Sequence, residues 1–421
     1  MAIVQLKSTN PSFSFVIRKN PHTGMLLREM RKGMAYGWYT DEGTFNVYFK
    51  DADNEVSYKQ HREDQFEYLN VSRYHTPLFV LGAINEFFAS PLKAQDTKDT
   101  EEYEHVFHIN MIHIQLLRYI QFFEKHLTDY SFEAVHLADK SYSLTIKTHK
   151  SLHELMHVVS VLCLFLAMFS DEYIDISDNV LMKYIRSIQI MDAPFYIRSL
   201  FARNFLASRD RFKKYKAELE KTDRYAIQLS FGGTAQQRRS YIGSVLPFDK
   251  SIVDVGCGEG FYAIPYAAKI EATYYAIDIS EPLLEIVQRR AKGKELDNIV
   301  TFSSIDRFLE EYNGEQVDVV LTEVIEHMSL EEARTLIRQI CKQVDFDYFV
   351  LTTPNAEFNA YYELSEFRHD DHKWELGRAE FQEWLLEAVD MQDIETTFIA
   401  IGDGVNGIQT TQGAILRKRR E

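Results

Sequence analysis

Apolar and aromatic runs separated by polar turns predict strands and helices in the first half of the chain. Aromatic-rich runs predict strands at residues 12–17 and 45–49. Thr76 and Pro77 predict a helix over residues 76–88, because Thr caps helix N-termini and Pro suits the first helical position. Further predictions are a polar loop at 94–102, an amphipathic helix at 108–123, a strand pair at 132–137 and 142–147, a buried helix at 151–169, and one or two helices at 178–206.

In the second half, short apolar strands alternate with helices, as in open sheets of the Rossmann-like type. We therefore predict an α/β domain at residues 223–421, preceded by an α+β domain at residues 1–222. The boundary falls in the strongly charged segment 209–224, which is typical of an interdomain helix or linker. The predicted strands are 251–255, 273–277, 298–302, 317–321 and 348–352, with a helix at 261–268 and another that Ser280 caps.

The composition restricts the class of protein. The 421 residues suffice for about two or three domains, and 45% hydrophobic with 26% charged residues is typical of a soluble globular protein. The longest apolar run, residues 158–168, is too short for a membrane span of about 20 residues, and the N-terminus lacks a signal-peptide pattern. The three scattered cysteines favour reduced thiols, so we expect a cytoplasmic location.

The net charge of −16 restricts the kind of nucleic-acid binding that is expected. Proteins that bind duplexes without sequence preference usually have a basic surface, which this composition does not provide. Any contact with RNA or DNA is therefore expected from a local patch, which is compatible with holding a single strand end.

A glycine-rich turn follows the first strand of the α/β domain. Its D-x-G-x-G-x-G form allows the backbone to approach a ligand closely. The next strand ends in Asp278, which can accept both hydroxyls of a ribose; dinucleotide sites share such a turn but space the third glycine differently. The pattern resembles motif I of class I S-adenosylmethionine-dependent methyltransferases. It predicts cofactor contacts from Asp254, Gly256, Gly258, Gly260, Asp278 and Ser304.

A group of carboxylates and imidazoles follows the fourth strand. Glu323, Glu326 and His327 have the i, i+3, i+4 spacing of one face of a helical turn. His369 and His372 can approach from a later loop. Such a mixed oxygen and nitrogen set suits Mn²⁺ or Mg²⁺ and leaves positions for substrate oxygens.

Plainer interpretations of this group exist. Acidic residues are favoured at a helix start by the helix dipole, so Glu323 and Glu326 alone would not indicate a metal. Asp371 can orient a histidine rather than bind an ion. Because strand ends in a doubly wound sheet meet at one edge, the group is nevertheless expected beside the glycine turn.

A second metal pattern occurs in the first half. His153 and His157 flank Glu154 in an H-E-x-x-H arrangement, which in zinc peptidases places two imidazoles on one helix face. No third ligand is evident at a typical spacing. The surface of an amphipathic helix is therefore the favoured interpretation.

The chain resembles a known family at these positions. Residues 323–327, 353–359 and 367–375 resemble the signatures of the small-RNA 3′-terminal ribose 2′-O-methyltransferases, which include a bacterial RNA-repair branch. The resemblance spans residues 236–416, with Leu376 and Gly377 as a local departure. In the first half, residues 19–21, 68–70 and 73–74 and the helix from Thr76 resemble the N-terminal domain of the bacterial branch.

The resemblance implies a metal-dependent transfer of a methyl group to the 2′-hydroxyl of an RNA 3′ end. The implied ligands are Glu323, Glu326, His327 and His372, with His369 as a neighbour and either His327 or His369 as the base. Arg238, Arg368 and Arg378 are the candidate RNA contacts because each flanks a motif at the site, and Arg238 also matches a family Gln-Arg pair that approaches the RNA end; each of them can instead form a structural ion pair.

The resemblance also implies partners. In the family the N-terminal domain docks on RNA-repair proteins, namely a polynucleotide kinase-phosphatase and an RNA ligase. Two alternatives remain: a scaffold that activates the ligase, and a methyltransferase for small-molecule diols, which would leave the first half of the chain without an evident use.

Overall fold

The computed structural model describes residues 3–30, 33–51, 75–170, 174, 176–364, 366–389 and 393–419. The chain forms two compact units, Met1–Phe201 with Ala217–Arg224 and Ala202–Lys216 with Tyr225–Glu421. The predicted family features at residues 68–70 and 73–74 lie outside the described residues. No described helix combines the length and the hydropathy needed to cross a membrane.

The first unit contains an antiparallel sheet of seven strands in the order β2-β3-β4-β1-β5-β7-β6. The predicted strand pair is confirmed: β6 and β7 are antiparallel neighbours in this sheet. The strands are β1 Ile3–Ser8, β2 Leu26–Met30, β3 Gly33–Asp41, β4 Thr44–Asp51, β5 His105–His113, β6 Tyr130–Ala138 and β7 Ser141–Thr148.

Helices α2, α3, α4 and α6 pack against α5, which is buried along most of its length. Ser151 caps α5 by accepting a hydrogen bond from the backbone of Glu154. As predicted, Thr76 caps α2, and its side chain accepts a hydrogen bond from the backbone of Leu78. The helices are α1 Phe13–Val16, α2 Pro77–Phe87, α3 Ala89–Lys93, α4 Arg118–His126, α5 Leu152–Met168, α6 Asp178–Ile190, α7 Phe195–Phe205 and α8 Arg209–Glu220.

Two predicted elements are wrong. The strand predicted at 12–17 is the short helix α1, because Phe13 and Val16 are buried at helical spacing while Phe15 is 65% exposed. The helix predicted at 108–123 is the end of β5 followed by α4. An irregularity in the β5 register between Ile109 and Ile112 interrupts the alternation of buried residues, so the sequence has no clean two-residue period there.

The second unit contains an eight-stranded sheet in the order β11-β10-β9-β12-β13-β15-β14-β8. The five strands from β11 to β13 are parallel, and β15, β14 and β8 extend the sheet in antiparallel fashion. The strands are β8 Ile227–Gln228, β9 Ser251–Val255, β10 Tyr274–Ile277, β11 Ile299–Phe302, β12 Val317–Thr322, β13 Phe346–Pro354, β14 Ile394–Val405 and β15 Ile408–Lys418.

Helices cover both faces of this sheet. Val253 and Val255 of β9 pack into one buried cluster while Ile252 packs into the other, as alternate strand residues must. The helices are α9 Thr234–Val245, α10 Ala263–Ala267, α11 Glu281–Lys292, α12 Ile305–Glu311, α13 Leu330–Gln343 and α14 Arg378–Val389. The predicted Rossmann-like α/β fold, preceded by an α+β domain, is confirmed.

Candidate functional site

The glycine turn lies directly after β9 and has a left-handed backbone. Gly256, Gly258 and Gly260 have φ angles of +77°, +53° and +81°, a region that other residues enter only with strain. Backbone N–H groups of Gly256 and Cys257 both donate to the Ile277 carbonyl, at 2.8 and 2.9 Å. The turn is therefore fixed against β10, and a Cβ on Gly258 would project into open space.

Two aspartates hold this turn from different directions. Asp278 accepts hydrogen bonds from the backbone of Gly258 at 2.8 Å and of Ser280 at 2.9 Å. Asp254 is fully buried, and its Oδ2 accepts a hydrogen bond from the Tyr274 hydroxyl at 2.8 Å. Burial raises the pKa of Asp254 to about 7, and its Oδ1 has no partner among the described residues.

Ser304, the remaining predicted cofactor residue, caps α12. Its hydroxyl accepts a hydrogen bond from the Arg307 backbone at 3.2 Å. It follows β11, so it belongs to the same edge of the sheet as Asp278. The edge thus collects the predicted cofactor residues from β9, β10 and β11.

The turn after β12 differs in shape from the prediction. A 3₁₀ turn covers Ile325–His327, and Glu323 precedes it with a φ of +54°. Glu323 is therefore not on a regular helical face with Glu326 and His327. The Glu323 carboxylate instead accepts a hydrogen bond from Thr352 at 3.1 Å and lies 3.2 Å from Arg238 Nη1.

A later loop is attached to this turn by two hydrogen bonds. The Lys373 backbone N–H donates to the Glu326 carbonyl at 2.8 Å. The Trp374 indole N–H donates to the Met328 carbonyl, also at 2.8 Å. These bonds bring His372 to Glu326 across a long sequence separation, as the sequence predicted.

Glu326, His327 and His372 form the cluster that can hold a metal ion. One ligand atom from each lies within 4.8 Å of the others, and this is the one such group among the described residues. Glu326 and His372 are buried, while His327 is exposed. Glu323 is outside the cluster in this geometry, although the sequence placed it among the ligands.

His372 is oriented by residues that the sequence analysis did not assign. Its Nδ1 lies 2.6 Å from Glu375 Oε1, which leaves Nε2 directed elsewhere. Asn359 in turn donates to Glu375 Oε2 at 2.6 Å, and Arg368 Nε donates to Asn359 Oδ1 at 2.7 Å. Such a carboxylate behind a histidine fixes both its tautomer and its orientation. Glu375 lies inside the 367–375 motif, and its place in that motif is the sequence feature that could have indicated its role.

The charge balance around Glu326 favours a cation. Burial, followed by the charge of Glu323, raises the pKa of Glu326 to about 8. Thr353 donates to Glu326 Oε2 at 3.1 Å, but the buried Oε1 has no hydrogen-bond partner among the described residues. A carboxylate in such surroundings is stabilised either by a proton or by a positive ion, so these residues fit a divalent metal.

The remaining polar residues of the loop lie at the edge of the cluster. Asp371 Oδ2 is 3.2 Å from His327 Nδ1, which is the orienting contact considered in the sequence analysis. The His369 ring centroid is 5.1 Å from that of His372. His369 is thus a neighbour of the cluster rather than a member.

The three predicted arginines have different surroundings. Arg238 on α9 pairs with Glu323 and is only slightly exposed. Arg368 donates from every guanidinium nitrogen: to Asn359, to the Thr410 carbonyl at 2.7 Å and to the Asn355 carbonyl at 2.6 Å. This favours a structural role for Arg368, while Arg378 is exposed at the start of α14. Their binding roles stay predictions.

The H-E-x-x-H residues have protein partners of their own. His153 Nδ1 lies 2.5 Å from the Pro91 carbonyl, and Glu154 accepts a hydrogen bond from the Ser151 hydroxyl at 3.1 Å. His157 Nδ1 lies 2.9 Å from Ser187 Oγ. The favoured interpretation, the surface of an amphipathic helix, is wrong in one respect: His157 is buried, on a helix that is buried along most of its length.

Comparisons with known proteins match both halves of the chain. A family model described as "Hen1 N-terminal domain" matches residues 3–224, and one described as "Methyltransferase domain" matches residues 252–345. A chain in the structure of a Pnkp1/Rnl/Hen1 RNA repair complex superposes with a TM-score of 0.79 at 25% identity. That alignment covers 99% of this chain and 100% of the other.

Curated relatives match over shorter stretches. A small RNA 2′-O-methyltransferase of Caenorhabditis elegans is 33% identical over 128 residues, covering 27% of this chain and 29% of the relative. The corresponding enzyme of Rattus norvegicus is 25% identical over 189 residues, covering 40% and 46%. The chain therefore spans less than half the length of these curated relatives.

Proposed function

The chain belongs to the Hen1 family, and from this premise we propose that it transfers a methyl group from S-adenosylmethionine to the 2′-hydroxyl of an RNA 3′-terminal ribose. One observation carries the proposal. The Glu326–His327–His372 cluster and the glycine turn lie together, since Val324, three residues before His327, packs against Gly256. A methyl donor on the turn and a substrate oxygen at the cluster would be neighbours.

The proposed cofactor contacts follow from the edge of the sheet. Gly258 leaves space for the donor, and Asp278, at the end of β10, would accept the ribose hydroxyls of S-adenosylmethionine. Asp254 stays behind the turn as a buried support, and Ser304, which caps α12, would lie near the adenine. Gly256 and Gly260 allow the backbone curvature that the contact needs.

Glu326, His327 and His372 would hold a Mn²⁺ or Mg²⁺ ion, with Glu323 able to join them when Arg238 releases it. Such an ion supplies a Lewis acid that lowers the pKa of a ribose hydroxyl and fixes its orientation. The mixed oxygen and nitrogen donors are compatible with either ion. His372 would use its Nε2 for this, because its Nδ1 faces Glu375.

The protein side chains perform the remaining steps. Of the two predicted bases, His369, exposed beside the cluster, is the better suited to take the proton of the attacking 2′-hydroxyl, because His327 would hold the ion with one nitrogen while its Nδ1 faces Asp371. Displacement at the sulfonium methyl then depends mainly on alignment of the oxygen with the donor. The contact between Gly256 and Val324 fixes the relative position of the two sites and thus supports this alignment.

The same geometry explains the proposed substrate class. A vicinal 2′,3′-diol offers two oxygens to the cluster, whereas DNA lacks the 2′-oxygen and a 3′-phosphate blocks one of the two. Arg238 and Arg378 are the better candidate contacts to the RNA strand, with Arg378 the more exposed, while the internal hydrogen bonds of Arg368 make it the weakest of the three predicted. A net charge of −16 fits a protein that grips a strand end rather than a duplex.

The similarity to a chain of an RNA repair complex supports a role in repair. On this basis the domain of residues 1–222 would dock on a polynucleotide kinase-phosphatase and an RNA ligase, and residues 223–421 would methylate the healed 3′ end. Three buried, unpaired cysteines are compatible with the cytoplasm as the compartment. A scaffold that activates the ligase is the second candidate function, and the same similarity supports it.

The test supplies purified protein, labelled S-adenosylmethionine, Mn²⁺ and a short RNA ending in a 2′,3′-diol, with and without the RNA ligase partner. We expect label on the diol RNA, and background label on the same RNA ending in 2′-deoxy or 3′-phosphate. Glu326→Ala should remove methyl transfer and leave ligation by the complex intact if the protein also acts as a scaffold. Equal labelling of the deoxy-terminated RNA would refute the proposal.

A further inference from the structure

The first unit contains a cavity that the proposed methyl transfer does not use. It has a volume of about 340 Å³ and opens between α2, α3, α5 and α6. This is the lower end of the range for small-ligand sites. Its principal lining residues are Asn85, Leu92, Lys93, His157, Lys183 and Arg186.

The cavity is lined by cations without acidic partners. Among the residues that the structure describes, no carboxylate forms an ion pair with Lys93, Lys183 or Arg186. Lys183 Nζ donates to Asn85 Oδ1, and Arg186 Nη2 donates to the Lys93 carbonyl at 3.3 Å. These neutral acceptors hold the side chains at the cavity but leave three positive charges uncompensated, an arrangement that attracts an anion.

A buried polar atom lines the same cavity. His157 is only 3% exposed, and its Nε2 has no hydrogen-bond partner among the described residues, while its Nδ1 contacts Ser187 Oγ. Burial lowers the pKa of His157 to about 3, the charges of His153 and Arg186 add to this effect, and the nearby Leu92 backbone partly offsets it, so the imidazole is neutral. A buried, unpartnered nitrogen of this kind normally has a polar group to bind.

We propose that this cavity binds a phosphorylated small molecule that also carries hydroxyl groups, of the size of a sugar phosphate or a mononucleotide. Lys93, Lys183 and Arg186 would hold the phosphate at the rim. A hydroxyl would meet His157 Nε2, because a hydroxyl can both donate and accept a hydrogen bond. The site is contained within the first unit and does not depend on the proposed methyl transfer.

Calorimetry with the full chain tests the site. The protein is saturated with S-adenosylhomocysteine, so that a methyl-donor site is filled, and titrated with ribose 5-phosphate, inorganic phosphate or ribose. We expect ribose 5-phosphate to bind more tightly than inorganic phosphate, and ribose to bind undetectably. Absence of ribose 5-phosphate binding at millimolar concentration would overturn the proposal.

Variants assign the binding to these side chains. Arg186→Gln and Lys183→Gln change exposed residues of α6, and each should weaken ribose 5-phosphate binding about tenfold. Lys147→Gln, an exposed lysine on β7, is the matched control and should bind as the wild type does. An equal loss in Lys147→Gln would mean that only the general charge of the unit matters, and the proposal would fail.

His157→Asn examines the second contact. Asparagine can keep the hydrogen bond to Ser187 but has no atom at the position of Nε2. This variant should weaken ribose 5-phosphate binding and leave inorganic phosphate binding unchanged, a separation that loss of structure would not produce. A 5′-phosphorylated RNA whose binding requires Arg186, in the absence of ribose 5-phosphate binding, would refute a small-molecule occupant.

Discussion

Gly256 and Val324 are in contact at a point where no side chain other than hydrogen fits on Gly256. An ideal Cβ on Gly256 would lie 2.3 Å from Val324 Cγ2. This contact joins the turn after β9 to the turn after β12. The cofactor and metal parts of the proposed site are therefore mechanically coupled through one pair of residues.

Gly256→Ala is expected to damage both parts. The φ of +77° costs about 1–2 kcal/mol for alanine, and the added methyl group must also displace Val324. Thermal unfolding should therefore shift down by several degrees, and methyl transfer should be lost. Gly258→Ala is the control: with a φ of +53° and an open space for Cβ, it should lose cofactor affinity with a smaller change in stability.

Glu375→Gln tests the support of His372. The carboxylate lies 2.6 Å from His372 Nδ1 and receives further hydrogen bonds from Asn359 and from the Arg368 backbone. Replacing it should weaken Mn²⁺ binding by about 10- to 100-fold, as measured by calorimetry or by the electron paramagnetic resonance of free Mn²⁺. Asp370→Asn, an exposed carboxylate of the same loop, should bind Mn²⁺ like the wild type.

Metal removal should separate chemistry from cofactor binding. Chelator treatment, or His372→Ala, is expected to reduce methyl transfer at least about 100-fold, because the substrate oxygen loses its activating ion. Binding of S-adenosylmethionine should persist, since its proposed contacts lie on β9, β10 and β11. Added Mn²⁺ should restore the chelated wild type and not the variant; restoration of both would contradict the ligand assignment.

Asp318 gives a prediction for stability against pH. It is fully buried in β12, accepts one hydrogen bond from the Tyr348 backbone at 3.2 Å, and has its pKa raised by burial to about 6. The folded state thus binds this proton more tightly than the unfolded state. The resulting stability is complete below the unfolded pKa of about 4 and is lost as pH rises through 6.

The free energy of unfolding of Asp318→Asn, relative to that of the wild type, should therefore increase from pH 4 to pH 8. The difference should be on the order of 1–3 kcal/mol, measured by urea unfolding at both pH values. Asp297→Asn, which changes an exposed carboxyl, is measured in parallel as the control. A constant difference for Asp318→Asn would show that its carboxyl titrates normally.

Much of the site could be predicted because its residues lie at fixed places in a doubly wound sheet. Glu326, His327 and the glycine turn follow strands that are parallel neighbours, so their proximity follows from topology. The family resemblance is confirmed by the model that matches residues 3–224. His372 was predicted from its motif, and its position depends on backbone hydrogen bonds that the sequence does not reveal.

Other features could not be predicted because they depend on tertiary contacts. The left-handed conformation of Glu323 and its pairing with Arg238 separate it from the cluster, although its spacing suggested a common helical face. The role of Glu375 becomes visible only when His372 is in place. In the first unit, the register irregularity in β5 removed the alternation by which a strand is recognised.

The hydrogen bonds from Lys373 to Glu326 and from Trp374 to Met328 have a consequence for metal affinity. They join the two segments of the cluster through protein groups alone, which favours a loop whose order does not depend on the metal. Little of the binding free energy is then spent on closing a flexible segment. Affinity should respond sharply to the chemistry of the ligand atoms, and weakly to substitutions elsewhere in the loop that keep these two bonds.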